Sequence, residues 1–330
     1  MTTTGLTTTG STTTGAGTFL RKGRTRGATW LVLRRHRVAA WSALGLLAVL
    51  VGTLVWLRSG ITGYTAGHDM THPADDTLRH LSDTYGDPLH YIGRFLEFLP
   101  LLVGAFVAGP MIARELESGT YRVAWTQAIS PMRWFAAKLA LPAVALLAGV
   151  SVLSATYAWT WRSLPLEHLP GQWWWRNTDM LGPVPVAHAL LGLAVGALAG
   201  LLVRHVLPAL GATMFALQVL LLPVQWLRDR MVAPATELSR EMPGLIRGNT
   251  DWIVGRGMVD ASGGHLPEPD CGVGVRPADC LAQHHAVGWY LEYHPGSHMQ
   301  PLLWAEAGVC TALALLVAGA AVWLMRRTHP

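Results

Sequence analysis

Six apolar runs, each about 20 residues or longer, constrain what this chain can become: Val38–Leu57, Gly93–Ala113, Leu139–Trp161, Pro183–Val203, Val206–Leu227 and Pro301–Met325. At ~1.5 Å of rise per residue, about 20 helical residues cross the ~30 Å hydrocarbon core of a bilayer. The expected fold is an all-α integral membrane protein of six transmembrane helices. Only 14% of the residues are charged, against roughly 25% in a soluble domain. With six spans in 330 residues, little chain is left for a separate soluble domain.

Lys and Arg near the span ends set the orientation. One side collects Arg21, Lys22, Arg24, Arg26, Arg34, Arg35 and Arg37, together with Arg114, Arg122, Arg133, Lys138, Arg204, Arg326 and Arg327. The two shorter loops of the other side hold Arg58, Arg79, Arg94, Arg162 and Arg176. This asymmetry puts both termini in the cytoplasm and leaves Arg228–Gln300 as a long extracytoplasmic loop between helices five and six. The first span then serves as an uncleaved signal anchor, because a cleavable h-region runs only about 7–15 residues. The net charge of +5 belongs to this topology, so no nucleic-acid partner is expected.

The chain accordingly divides into a tail and basic segment (1–37), five spans (38–227) with an inner loop (114–138), the outer loop (228–300), and a sixth span with a basic C-terminus (301–330). Within the tail, Met1–Gly17 repeats Thr-Thr-Thr-Gly three times. It has almost no apolar surface to bury, so it is expected to be disordered, either inert or regulatory. The run Arg21–Arg37, with Trp30 to Leu33 inside it, is either an amphipathic helix on the inner leaflet or a topogenic charge cluster.

Spans four and five form a tight hairpin joined by Arg204 and His205. Gly192, Gly196 and Gly200 recur every four residues and so share one helix face, where another backbone can approach closely. The partner is a helix of the same chain or a dimer seam. Pro110, Pro142, Pro208 and Pro223 sit in or near spans and predict local kinks. Trp173, Trp174 and Trp175 precede the fourth span, as an aromatic belt at headgroup level or a stacking platform.

Ionisable residues inside a membrane are functional candidates. Glu97, His188 and Glu306 lie within about two turns of the outer ends of their spans, where structural pairing or snorkelling competes with a gate or substrate-path role. Arg94, three residues before Glu97, is its helical neighbour. Gln218 is deeper in the fifth span, as an inter-helix hydrogen-bond donor or a substrate contact. Cys271 and Cys280 lie in the outer loop, where disulfides persist. They form a disulfide, a metal site with His284, His285 or His294, or two free thiols. The spacing matches no standard zinc pattern, and no metal is expected. Cys310, in the sixth span, is a small apolar filler.

The inner loop from Arg114 to Lys138 carries the functional signal. Glu115 and Glu117 are followed by Gly119-Thr120 and then an apolar-aromatic stretch ending at Ser130-Pro131. Such a segment presents a rigid knob along the membrane, or anchors to it through Trp125 and Trp134, with Arg133 and Lys138 on phosphates. The stretch Gly109-Pro-Met-Ile-Ala-Arg-Glu-Leu-Glu-Ser-Gly-Thr120, with Ala124-Trp-Thr-Gln127, Arg133-Trp134 and Lys138, resembles the permease subunits of type-2 ABC exporters, nearest a branch common in high-GC actinobacteria. Tyr293-His-Pro295, Glu306 and Arg326-Arg327 are similar too, so the likeness runs through everything after Arg34.

The resemblance implies a coupling helix seated in a separate ATP-binding subunit. Glu115, Gly119 and Thr120 would shape it. Arg114, Glu117 and Arg122 would make polar contacts, and Trp125, Gln127, Arg133 and Lys138 would lead back to the bilayer. It also implies a plasma-membrane (bacterial inner membrane) protein working with a second permease chain, identical or different, to export an amphipathic substrate. ATP and magnesium would sit on the partner ATPase. The sequence holds no G-x-x-x-x-G-K-[ST] loop, no H-E-x-x-H helix and no G-x-S-x-G elbow, so no cofactor and no enzymatic activity are expected of this chain. The alternative is a membrane sensor or scaffold that acts through the outer loop.

Overall fold

The computed structural model describes residues 37–119, 131–169, 172–241, 250–271 and 275–328. The Thr/Gly tail and the sequence-predicted coupling residues Thr120, Arg122, Trp125 and Gln127 lie outside them. Among the described residues, six helices are long and apolar enough to cross a membrane. They are α1 (Arg37–Ala66), α2 (Asp75–Glu117), α3 (Pro131–Trp161), α4 (Val184–Val203), α5 (Val206–Trp226) and, after a short α6 (Pro277–Gln283), α7 (Met299–Thr328).

Several helices outrun the apolar runs that announce them. α2 starts at Asp75, well before Gly93, and α1 continues to Ala66. Hydropathy marks the hydrocarbon layer, whereas a helix extends until a cap or breaker stops it. Asp75 and Asp76 in the first turn of α2 favour its N-terminus through the helix dipole. The helix also contains two π-helical segments, Ser82–Gly86 and Val103–Ala108.

α4 is the central helix. Most of its residues are buried, and it packs against α2, α3, α5 and α7. Its three glycines meet α2. A Cβ on Gly192 would strike the carbonyl oxygen of Pro100, and one on Gly196 that of Gly104. One on Gly200 would lie 2.7 Å from the oxygen of Gly109. Backbone therefore lies on backbone along two helical turns, the contact that small residues permit between membrane helices. The carbonyls met on α2 are spaced four and then five residues apart, while the glycines are spaced four and four. The π segment Val103–Ala108 supplies the extra residue and keeps the two helices in step.

The all-α expectation is corrected between α5 and α7. There a four-stranded antiparallel sheet forms in the order β1-β4-β2-β3, from β1 (Ala235–Ser239), β2 (Trp252–Asp260), β3 (His265–Pro267) and β4 (Ala286–His294). Met258 pairs with both Trp289 and Leu266 across the sheet. Together with Cys280, Leu281 and Cys271 these residues make a small core under α6. The sequence of this loop also reads helix-like over Thr236–Met242 and Leu281–Glu292; among the described residues there, 236–239 and 286–292 are strand, and only 281–283 are helical, at the end of α6. An isolated helix this short is marginal. Val287, Trp289, Tyr290, Leu291 and Tyr293 instead suit a half-buried strand. Cys271 and Cys280 are joined in a disulfide, with their Cα atoms 5.7 Å apart.

Candidate functional site

The end of α2 and the α4–α5 hairpin meet at one end of the helices. Gly119, at φ +71°, terminates α2 in the left-handed conformation that glycine adopts without strain. Ser118 N–H donates to the Arg114 carbonyl at 3.0 Å and Gly119 N–H to that of Leu116 at 3.4 Å. Glu115 and Glu117 thus lie in the last turn of α2, not at the start of a new helix. A carboxylate there is disfavoured by the dipole of its own helix.

Glu117 offsets this through another helix. Its Oε2 accepts the N–H of Val206 at 3.2 Å, and its Oε1 lies 3.6 Å from His205 Nδ1. Val206 is the first residue of α5, so the carboxylate caps an orphan donor and faces the positive end of that dipole. Arg204, at φ 59°, turns the chain out of α4 immediately before it. The sequence placed Glu117 among polar contacts to a partner; its bond to α5 was hidden because Glu117 and Val206 lie far apart in the chain. Arg114 is exposed and Glu115 half-buried in the same turn. Arg133 and Lys138 fall within the first turns of α3.

A buried charge cluster occupies the other end. Arg228 follows α5 in the short turn Arg228–Arg230. Its Nε donates to Glu306 Oε2 at 2.8 Å, and its Nη2 donates to Glu306 Oε1 at 2.7 Å and to Asp179 Oδ1 at 2.6 Å. Burial opposes the charge of Arg228, yet the Asp179 and Glu306 carboxylates hold its pKa above the ordinary arginine value. His188 Nε2 is 3.6 Å from Glu306 Oε1. His188 Nε2 has no hydrogen-bond partner at normal distance among the described residues. Glu306 is 0% exposed and His188 3%. Both therefore pair inside the protein, and neither snorkels.

The cluster joins α4, α7, the turn after α5 and the Thr178–Met180 turn. Sequence reading missed Arg228 and Asp179. An arginine directly after span five, at the same depth as Glu306 near the start of span six, was the available signal.

Asp179, His188 and Glu306 bring ligand atoms within metal-binding reach of one another, as do Cys271, Cys280 and His284. Neither set suits a cation. The Arg228 guanidinium already takes both carboxylates of the first, and the disulfide leaves the second without thiolates. Glu97 is on α2, where Arg94 donates to it, and is near enough to Asp179 for the two charges to interact.

Close by, Trp174 is buried rather than part of an aromatic belt. Its Nε1–H donates to the Thr250 carbonyl at 2.8 Å, and its ring meets Trp252 edge-on. Trp252 in turn lies against His294, whose Nε2 is 3.0 Å from the Asp229 carbonyl and whose Nδ1 is 3.1 Å from His298 Nδ1. Burial pushes the His294 pKa below its ordinary value.

Six apolar helices, a glycine-packed central pair and a buried charge cluster define a multi-pass membrane protein. A family model described as ABC-2 membrane transporter related matches residues 44–228, more than half of the chain. The chain belongs to the ABC-2 membrane transporter related family. The match takes in the glycine zipper and the Glu117 cap and ends at Arg228, before the sheet and α7. Nothing among curated proteins or solved structures matches the chain.

Proposed function

We propose that this chain is the membrane-spanning permease subunit of an ABC exporter in the plasma membrane, driven by a separate ATP-binding subunit. It works with a second permease chain, and the paired permeases engage two ATPase subunits that bind ATP and magnesium. The end of α2 that carries Arg114, Glu115 and Gly119 faces the cytoplasm, with both termini, and the sheet faces outside. An amphipathic substrate of the kind moved by such exporters is the cargo.

The observation that supports this reading best is the Glu117 bond to Val206. The loop that begins at Gly119 is the segment expected to seat in the ATPase. A push on that loop reaches the end of α2, passes through Glu117 to the α4–α5 hairpin, and meets α2 again along the glycine zipper. Two stiff helices and a capped hairpin carry motion as a rigid body, as alternating access requires.

A pull-down from detergent with the ATPase encoded beside this chain tests the reading. Wild type should recover the ATPase, and a Glu115→Ala/Gly119→Pro double variant should not. Recovery by neither chain, with both well folded, would count against the permease role. Cysteines placed at Ser118 and Gly263 should label from opposite sides of the membrane, and same-side labelling would overturn the orientation.

A further inference from the structure

A cavity of about 200 Å³ lies between α3 and α7, and every side chain that lines it is apolar. Phe135 and Leu139 on α3 form one wall, Ala314 and Val322 on α7 the other, and Ala194 and Ala197 on α4 the floor. Leu315 also lines it and is 65% exposed, so the cavity opens at the outside of the helices. Gln218, the deepest polar candidate of the sequence, is exposed on α5 and takes no part in it. Water has nothing to bond there, because a buried water needs about two to four polar partners.

The length and depth of the cavity fit one leaflet. From Ala314 to Val322 α7 advances about 12 Å at ~1.5 Å per residue. Half of a ~30 Å hydrocarbon core is about 15 Å. The cavity lies toward the end of the helices where Phe135, Ile112, Leu201 and Met325 share one core cluster. About 6 Å beyond Val322 along α7 stand Arg326 and Arg327, both exposed. The Arg327 guanidinium lies over the Trp323 ring, 4.7 Å from its centroid. An arginine paired with tryptophan at a span end belongs at headgroup level.

We propose that the cleft between α3 and α7 is a binding site for an anionic phospholipid, with an acyl tail in the cavity and the headgroup phosphate at Arg326 and Arg327. The occupant follows from the chemistry. A dry slot one leaflet deep that ends at two cations matches a tail joined to an anion. Guanidinium groups donate paired N–H bonds to phosphate, and cations beside a span attract anionic lipid. A second helix would enter the slot with single side chains and bring the arginines no anion. The proposal goes beyond the permease reading. That reading makes the leaflet the cytoplasmic one, but the binding itself does not depend on the orientation.

Native mass spectrometry of the purified full chain tests the headgroup, with phosphatidylglycerol and phosphatidylcholine of identical tails as probes. Wild type should prefer phosphatidylglycerol by about fivefold for each arginine, and Arg326→Gln/Arg327→Gln should bind the two lipids alike. Equal affinities in wild type, or a preference that survives in the double variant, would overturn the site. Photolabelling in reconstituted membranes tests the tail. Phosphatidylglycerol with a diazirine at mid-tail should label residues 314–322 of α7 above the other spans. Ala318→Leu fills the cavity, and Leu315→Trp narrows its exposed rim without entering the core. Each should lower that labelling severalfold. Labelling spread evenly over all spans would mean surrounding lipid only. Unchanged labelling in either variant, with its melting temperature kept, would put the tail elsewhere. Both results overturn the site.

Discussion

The Cα of Gly196 stands against the carbonyl oxygen of Gly104, too close for any side chain to fit between them. The contact recurs at Gly192 on Pro100 and at Gly200 on Gly109, and it fixes the register of α2 on α4. Because the obstructing atoms are backbone, neither helix can yield by changing a rotamer. Gly196→Ala should therefore lower stability by about 1–3 kcal/mol or more, read as a fall in detergent melting temperature. Gly308→Ala on α7 has open space at its Cβ and should be neutral or slightly stabilising through helix propensity.

The π segment makes a sharper demand. Deleting Ala105, inside Val103–Ala108, takes out the extra residue, so the segment can close to an ordinary α turn and Gly109 keeps its place opposite Gly200. The Gly200 contact and the Glu117 cap should then survive the deletion. A cysteine pair at Ile112 and Leu201, which share one core cluster, checks this: it should still cross-link in the deletion variant, and loss of the cross-link would mean that the π segment does not supply the extra residue.

How much of this was legible in the sequence depends on the range of the interaction. The spans and the glycine stripe follow from periodicities of a few residues and are visible in any window of the chain. The partner of the stripe was not, because its register depends on a π turn that no composition marks. Arg228 and Glu306 are 78 positions apart; the spans put both near one end of the helices, but only the fold shows that they pair. In β4 the signal was present but misjudged. Val287, Trp289, Leu291 and Tyr293 alternate with period two, and the helix-like reading of Leu281–Glu292 passed over that alternation.

Arg228 and Glu306 make a buried pair whose halves depend on each other. Arg228→Met alone leaves the Glu306 and Asp179 carboxylates uncompensated and should destabilise by about 3–5 kcal/mol, whereas Glu306→Gln leaves Arg228 its Asp179 partner and should cost less. The Arg228→Met/Glu306→Leu double variant should recover part of that loss. A double-mutant cycle on melting temperature gives the coupling directly, and additive single losses would mean that the two side chains do not act as a pair.

Glu117→Gln keeps the shape of the side chain and removes its charge. The group is about half exposed, so solvent screens the cap and the loss should stay below about 1 kcal/mol. The larger effect is expected on coupling. Substrate-stimulated ATP hydrolysis by the reconstituted complex should fall while melting temperature hardly moves. Equal hydrolysis in variant and wild type would leave the cap a purely structural bond.

His294 gives the outer sheet a dependence on pH whose sign follows from its hydrogen bonds. The Asp229 carbonyl only accepts, so Nε2 of His294 carries the proton, and its Nδ1 accepts from His298. Protonating His294 would set two N–H groups against each other in a buried site. Burial first, and then the neighbouring His298, hold its pKa below the ordinary 6.5. For a histidine with a depressed folded pKa the unfolded chain binds the extra proton more readily. Stability is thus fully present above the unfolded value of 6.5 and is lost as pH falls below it toward the folded value. Melting temperature should drop between about pH 7.5 and about pH 5.5, a window above most carboxylate titrations. His294→Gln keeps a donor for Asp229 and cannot protonate, so its melting temperature should change less over that window. An equal drop in both proteins would assign the pH dependence to another group.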